Sequence, residues 1–191
     1  YVYSTAGILI LSLNADSGEI LWEASDFPDE FHLGPSGGDM TLSTVDEGFT
    51  FVTSHIPYIA HTDESGCLQW YYELPYWSVP YGHSVNSTMD GGYIYGGENT
   101  PDWPSGGIQT GMVAKLDSEG ALEWADIVWE AHDIQSIRQL STGGYIACGG
   151  ETPGTLIRYE PETGIETEPP SGVAITSLSP VPFAEHLTVN Y

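Results

Sequence analysis

The sequence predicts an all-β chain assembled from a repeated four-stranded unit. Three observations predict it. An acidic turn followed by a tryptophan recurs along the chain, and a glycine-centred hairpin alternates with it. Between the 23 glycines and 13 prolines, no stretch sustains apolar residues at the helical period of about 3.6 residues.

The first motif stands at Leu13-Asn14-Ala15-Asp16-Ser17-Gly18-Glu19-Ile20-Leu21-Trp22, at His61-Thr62-Asp63-Glu64-Ser65-Gly66-Cys67-Leu68-Gln69-Trp70 and at Leu116-Asp117-Ser118-Glu119-Gly120-Ala121-Leu122-Glu123-Trp124. A fourth copy, Tyr159 to Ile165, keeps the acidic turn but has Glu168 where the tryptophan would fall. The glycines Gly18, Gly66, Gly120 and Gly164 step by 48, 54 and 44 residues. The second motif runs Asp46-Glu47-Gly48-Phe49, Asp90-Gly91-Gly92-Tyr93 and Thr142-Gly143-Gly144-Tyr145, and Tyr1-Val2-Tyr3 fits the remnant of an earlier copy.

Both motifs read as hairpins, the glycines supplying positive φ and the flanking Tyr, Ile, Val and Phe favouring strand. Each period then holds four strands, for example Ser84 to Met89, Tyr93 to Gly97, Met112 to Leu116 and Leu122 to Ile127. Trp129 to Leu140, the one candidate for a helix, reads as strand. Four strands in about 40 to 50 residues make a blade of a β-propeller. Three and a fraction blades are too few to close a ring of the usual four to eight, so further blades or a partner would complete it.

The segment Leu13 to Trp22 resembles the tryptophan docking motif of quinoprotein-type propellers, and Met112 to Gly150 resembles the repeats of secreted bacterial propeller proteins. The resemblance covers roughly residues 1 to 168. It implies that Trp22, Trp70 and Trp124 lie on outer strands and pack between neighbouring blades. Ser177-Leu178-Ser179-Pro180-Val181-Pro182-Phe183 with Leu187-Thr188-Val189 resembles the start of a type IX sorting domain, although Val181 replaces the family's Asn. The expected organisation is therefore blades over 1–170, then a linker and first strand of a sorting-type β domain over 171–191. Export to a secreted, extracellular or bacterial surface location follows from the same resemblance.

Charge narrows the partners. Lys115, Arg138 and Arg158 stand against 27 acidic residues, for a net charge of −24, so nucleic acid and anionic membrane are disfavoured by repulsion. No apolar run reaches the roughly 18 residues of a membrane helix. Cys67 and Cys148 lack metal-type spacing and are expected to be small buried side chains.

In a propeller, the tight turns gather on one face and the longer loops on the other. The long loops here carry Tyr76, Trp77, Tyr81, Trp103 and Trp129 among prolines, and stiffened aromatics suit stacking on sugar rings or peptide side chains. The alternative is that such aromatics fold back as satellite cores. Asp39, His83, His132 and Asp133 open successive inner strands near the axis and form a candidate divalent-cation site, with calcium in mind. No nucleophile elbow, phosphate-cradling glycine loop or His-Glu-x-x-His is present. A non-enzymatic scaffold binding glycan or extracellular protein is thus the leading expectation. An exported glycan hydrolase or lyase using channel-mouth carboxylates, and a self-associating architectural repeat, are the alternatives.

Overall fold

The computed structural model describes residues 10–25, 27, 38–53, 58–74, 81–100, 107–150, 154–160 and 187–189. Among these every regular element is a strand, including β11 within the stretch that offered the one candidate helix.

Four antiparallel sheets follow one another along the chain. The first is the pair β1 (Ile10–Leu13) and β2 (Ile20–Ala24). Next come β3 (Met40–Leu42), β4 (Phe49–Val52), β5 (Tyr58–Thr62) and β6 (Leu68–Glu73), paired in chain order. The third sheet is β7 (Gly82–Ser87), β8 (Tyr93–Asn99), β9 (Thr110–Leu116) and β10 (Leu122–Val128). The last is β11 (Ser136–Gln139), β12 (Tyr145–Gly149), β13 (Gly154–Tyr159) and β14 (Leu187–Val189). Leu187–Val189 pairs with β13 as the fourth strand of this sheet. The remainder of 161–191 lies outside the described residues.

The tight turns repeat one chemistry. Asp63 Oδ1 accepts the Ser65 and Cys67 amides, and Asp117 Oδ1 accepts the Glu119 and Ala121 amides, all at 2.8–3.0 Å. Asn14 does the same for Asp16 and Ser17. The acidic turn is thus a side chain standing in for a backbone acceptor, with glycine at positive φ (73°, 83° and 82° at Gly18, Gly66 and Gly120).

In the second hairpin only the first glycine of each pair needs that freedom: Gly91 and Gly143 have φ of 88° and 98°, whereas Gly92 does not. Gly92 is required for a different reason, because a Cβ there would run into the Leu116 carbonyl and the Lys115 ammonium. Gly48 faces the Thr62 carbonyl in the same way. In the second sheet Glu47 occupies the position of Gly91, with φ 62°, the lone non-glycine at positive φ among the described residues. Its exposed side chain gains nothing from that strain, so Glu47→Gly is expected to stabilise the chain by about 0.5 kcal/mol, net of the entropy glycine loses on folding. Urea denaturation would register it, and an unchanged or lower midpoint would contradict it.

Apolar cores lie between successive sheets. Ile10, Phe51, Tyr58 and Ala60 fill the first gap; Val52, Ile59, Val85, Tyr93 and Tyr95 belong to the second; Ile94, Val113, Ile137, Ala147 and Ile157 belong to the third. Each is joined by the tryptophan of the earlier sheet's last strand. Trp22 lies 6.1 Å from Phe49, Trp70 5.6 Å from Tyr93, and Trp124 6.0 Å from Tyr145. The Trp22 and Trp70 rings also lie directly over Gly66 and Gly120. A large aromatic at each gap supplies the area that two sheets need to adhere.

The first strands of the sheets are neighbours: β3 packs beside β7, and β7 beside β11. They are joined through side chains rather than a backbone ladder. The Val85 amide donates to Asp39 Oδ2 (3.2 Å), the Ile137 amide to Ser84 Oγ (3.3 Å), and Asn86 Nδ2 to the Ile137 carbonyl (2.8 Å). Converging first strands with stacked sheets are a blade-like arrangement compatible with a β-propeller.

Both cysteines are unbridged but exposed, contrary to the burial expected from sequence. Cys67 follows the turn glycine Gly66. Cys148 comes one residue after buried Ala147, so strand alternation turns it outward.

Candidate functional site

Of the five loop aromatics expected to bind ligand, Tyr76, Trp77 and Trp103 lie outside the described residues. Tyr81 is half-buried, and its carbonyl accepts the Glu98 amide at 2.9 Å, which ties the end of β8 to the entry of β7. Trp129 is 68% exposed, in the turn directly after buried Val128. That turn is fixed by an Ala131 amide bond to the Val128 carbonyl and a Gly111 amide bond to the Ala131 carbonyl. Phe27, from another long loop, packs edge-on against Phe51 at 5.6 Å and takes the satellite-core role instead.

Of the four candidate metal ligands, the two aspartates accept hydrogen bonds from the backbone. Asp39 receives the Val85 amide of the next sheet, together with the Met40 amide. Asp133 accepts the Gly150 amide at 2.8 Å and the Gln135 side-chain amide. His83 Nε2 and His132 Nδ1 are buried without a hydrogen-bond partner. Among the described residues, no three His, Cys, Asp or Glu side chains converge as metal ligands would.

What the sequence did not reveal is a basic position, buried in two sheets and partly buried in the third, repeated from sheet to sheet. On the third strand, the residues paired with Thr50, Ile94 and Ile146 are His61, Lys115 and Arg158. His61 is buried and bonds Asp46 Oδ2 through Nε2 (2.8 Å) and the Thr50 hydroxyl through Nδ1 (2.9 Å). It stacks on Trp70 at 5.2 Å, and Tyr93 reaches both its Nδ1 and the Ser43 hydroxyl. Asp–His–Thr contact has the form of a nucleophile relay, but Thr50 is fully buried and lines neither described cleft.

Lys115, the chain's single lysine, is 1% exposed. Its ammonium meets Glu123 at 2.8 Å, Asp90 at 3.0 Å and the Leu116 carbonyl at 2.9 Å, so all three of its protons find acceptors. Arg158 meets Glu160 at 3.3 Å, because Thr142 stands where the other sheets carry Asp46 and Asp90. Partial desolvation opposes ionisation of Asp46 and Asp90. Hydrogen bonds outweigh it, from His61, Ser43 and the Gly48 amide in one case, and from Thr88, the Gly92 amide and Lys115 in the other, with the His61 and Lys115 charges adding to them. Both carboxyls are held below the usual range. Desolvation instead pushes Asp126 up, beside the Tyr159 hydroxyl at 3.3 Å.

Two of the molecule's clefts are lined by described residues. One, of about 420 Å³, lies between the first two sheets and is walled by Ile10, Leu11, Trp22, Met40, Phe49 and Phe51. The other, of about 400 Å³, lies across the ends of β7 and β11. Neither is lined by a pair of carboxylates.

No protein-family model and no curated protein matches the sequence. Among solved structures, the chain is similar to a protein of unknown function from Bacteroides caccae, at 12% identity and a TM-score of 0.54. The match covers 84% of this chain and 57% of that one, so the chain spans little more than half of its structural neighbour. At this identity the likeness concerns the fold alone. No helix among the described residues is long and apolar enough to cross a membrane.

Proposed function

We propose that the chain is part of a β-propeller that serves as an exported, non-enzymatic binding scaffold, with a glycan or an extracellular protein held on its long-loop face. The observation carrying this reading is Trp129. The other described tryptophans, Trp22, Trp70 and Trp124, are docked between sheets, whereas Trp129 presents its ring to solvent from a hydrogen-bonded turn. A held, solvent-facing indole is the platform on which a sugar ring or an apolar peptide side chain stacks. Tyr76, Trp77, Tyr81 and Trp103 are assigned to the same face by their place in the long loops. Export to a bacterial surface rests on the Ser177–Phe183 resemblance, and the propeller on the convergence of β3, β7 and β11.

The test is a glycan and protein-ligand screen repeated with Trp129→Ala. The expected result is a ligand whose affinity falls at least about tenfold in the variant, as befits an anchoring tryptophan. A screen yielding only ligands indifferent to Trp129 would overturn the assignment.

A second reading, an architectural repeat, is favoured by the outward side of the first sheet. Leu21, which strand alternation turns away from the side of Trp22, is exposed there. Gly18, the counterpart of the tryptophan-covered Gly66 and Gly120, has open space where a ring would sit. Such a face fits the outer strand of another sheet of the same repeat type.

A further inference from the structure

The cleft across β7 and β11 differs in charge from the rest of the molecule. It is lined by Thr44 from the β3–β4 turn, by Asn86, Ser87 and Thr88 from the end of β7, and by Arg138 and Ser141 from β11 and the turn after it, among others. No aspartate or glutamate lines it, in a chain with 27 of them. Arg138 is the third of the chain's three Lys and Arg residues. Lys115 and Arg158 are paired with carboxylates, whereas Arg138 is exposed and makes no ion pair or side-chain hydrogen bond to described residues.

The polar groups beside it divide into two kinds. The Asn86 amide is committed to Ser84 and the Ile137 carbonyl, and Gln139 bridges the Met89 amide and the Gly143 carbonyl, so these hold the walls in place. The side-chain hydroxyls of Thr44, Ser87 and Ser141 carry no hydrogen bond to described residues. Strand β11 is itself fixed against β7 by the Ile137 amide bond to Ser84, so the backbone carrying Arg138 is anchored on its buried side.

We propose that this cleft binds a small hydroxylated monocarboxylate, of the sugar-acid type, with the carboxylate on the Arg138 guanidinium and the ligand's hydroxyls on Ser87, Ser141 and Thr44. A guanidinium offers a planar pair of donors matched to a carboxylate, and free hydroxyls both donate to and accept from a polyol. The restriction to one negative charge comes from the chain itself. At −24, the surrounding field repels a polyanion beyond what a single arginine can offset. A volume of about 400 Å³ admits one sugar-sized ring rather than a chain. This site involves neither Trp129 nor the long-loop face, so it stands or falls apart from the function proposed above.

The test uses the full chain and three probes, galacturonate, galactose and sodium sulfate, titrated by calorimetry or amide chemical-shift mapping at fixed ionic strength. Galacturonate is expected to bind at least about tenfold more tightly than galactose, with shifts centred on Ser87 and Arg138. Arg138→Gln should abolish that preference, Arg138→Lys should restore part of it, and Ser87→Ala should weaken galacturonate more than sulfate. Because Arg138 is exposed and Ser87 is half-buried with its hydroxyl unbonded to described residues, these variants should fold, which circular dichroism would verify. Equal binding of galacturonate and galactose, no binding of either, or a preference that survives Arg138→Gln would overturn the proposal. Sulfate binding as well as galacturonate, with Ser87→Ala without effect, would reduce the cleft to unspecific anion trapping and overturn it equally.

Discussion

Gly120→Ala is expected to destabilise the chain by about 3 kcal/mol, while the same substitution at Gly18 costs about 1 kcal/mol. The two glycines share a turn type and nearly the same φ, 82° and 73°, so the conformational penalty of a side chain in the left-handed region is common to both. What differs is the neighbour. A Cβ on Gly120 would lie 2.5–2.8 Å from three atoms of the Trp70 ring, and on Gly18 nothing lies within 4 Å. Trp70 cannot retreat cheaply, since it is wedged against His61 and Tyr93. The difference between the two variants, read from urea midpoints at constant m-value, thus measures the tryptophan dock itself. Equal losses would mean that the ring does not press on the turn.

Lys115 should show the next largest effect. Truncating it to alanine removes a buried stem and strands Asp90 and Glu123, for about 3 kcal/mol; Lys115→Met keeps the stem's volume and should cost about half that. The two carboxylates are roughly half exposed and can rehydrate, which keeps the loss at the low end. The penalty should depend on pH. The Asp90 carboxyl is depressed in the folded protein, so its contribution is present above the ordinary carboxylate pKa near 4 and is lost as pH falls through the lower folded value. The gap between wild type and Lys115→Met should accordingly be widest at pH 7 and narrow near pH 3. A gap that is constant from pH 7 to 3 would show that the lysine acts through packing alone.

The layout of strands was legible because it rests on backbone chemistry that few residues satisfy. An Asp or Asn that caps a turn, a glycine at positive φ and a tryptophan at each gap repeat with little freedom of substitution, so Asp63, Gly66 and Trp70 announce their roles. The repeated basic position was not legible, since its occupants share no residue type. His61, Lys115 and Arg158 become equivalent only once the register pairs them with Thr50, Ile94 and Ile146. The second glycine of each hairpin was read for the wrong reason: Gly92 serves the close passage of the third strand, a long-range contact that no local pattern reveals. Asp39 and Asp133 illustrate the same limit, because nothing local shows that each accepts an amide from a residue far along the chain.

The docking of each tryptophan on the following sheet gives the stack a direction. The side that offers an indole and the side that receives one are different surfaces, so any joining of such units is head to tail rather than two-fold. A rotation per unit that divides a full circle yields a sealed disc. Any other value yields a helical fibre, and a few degrees of twist at the indole contact decide between the two.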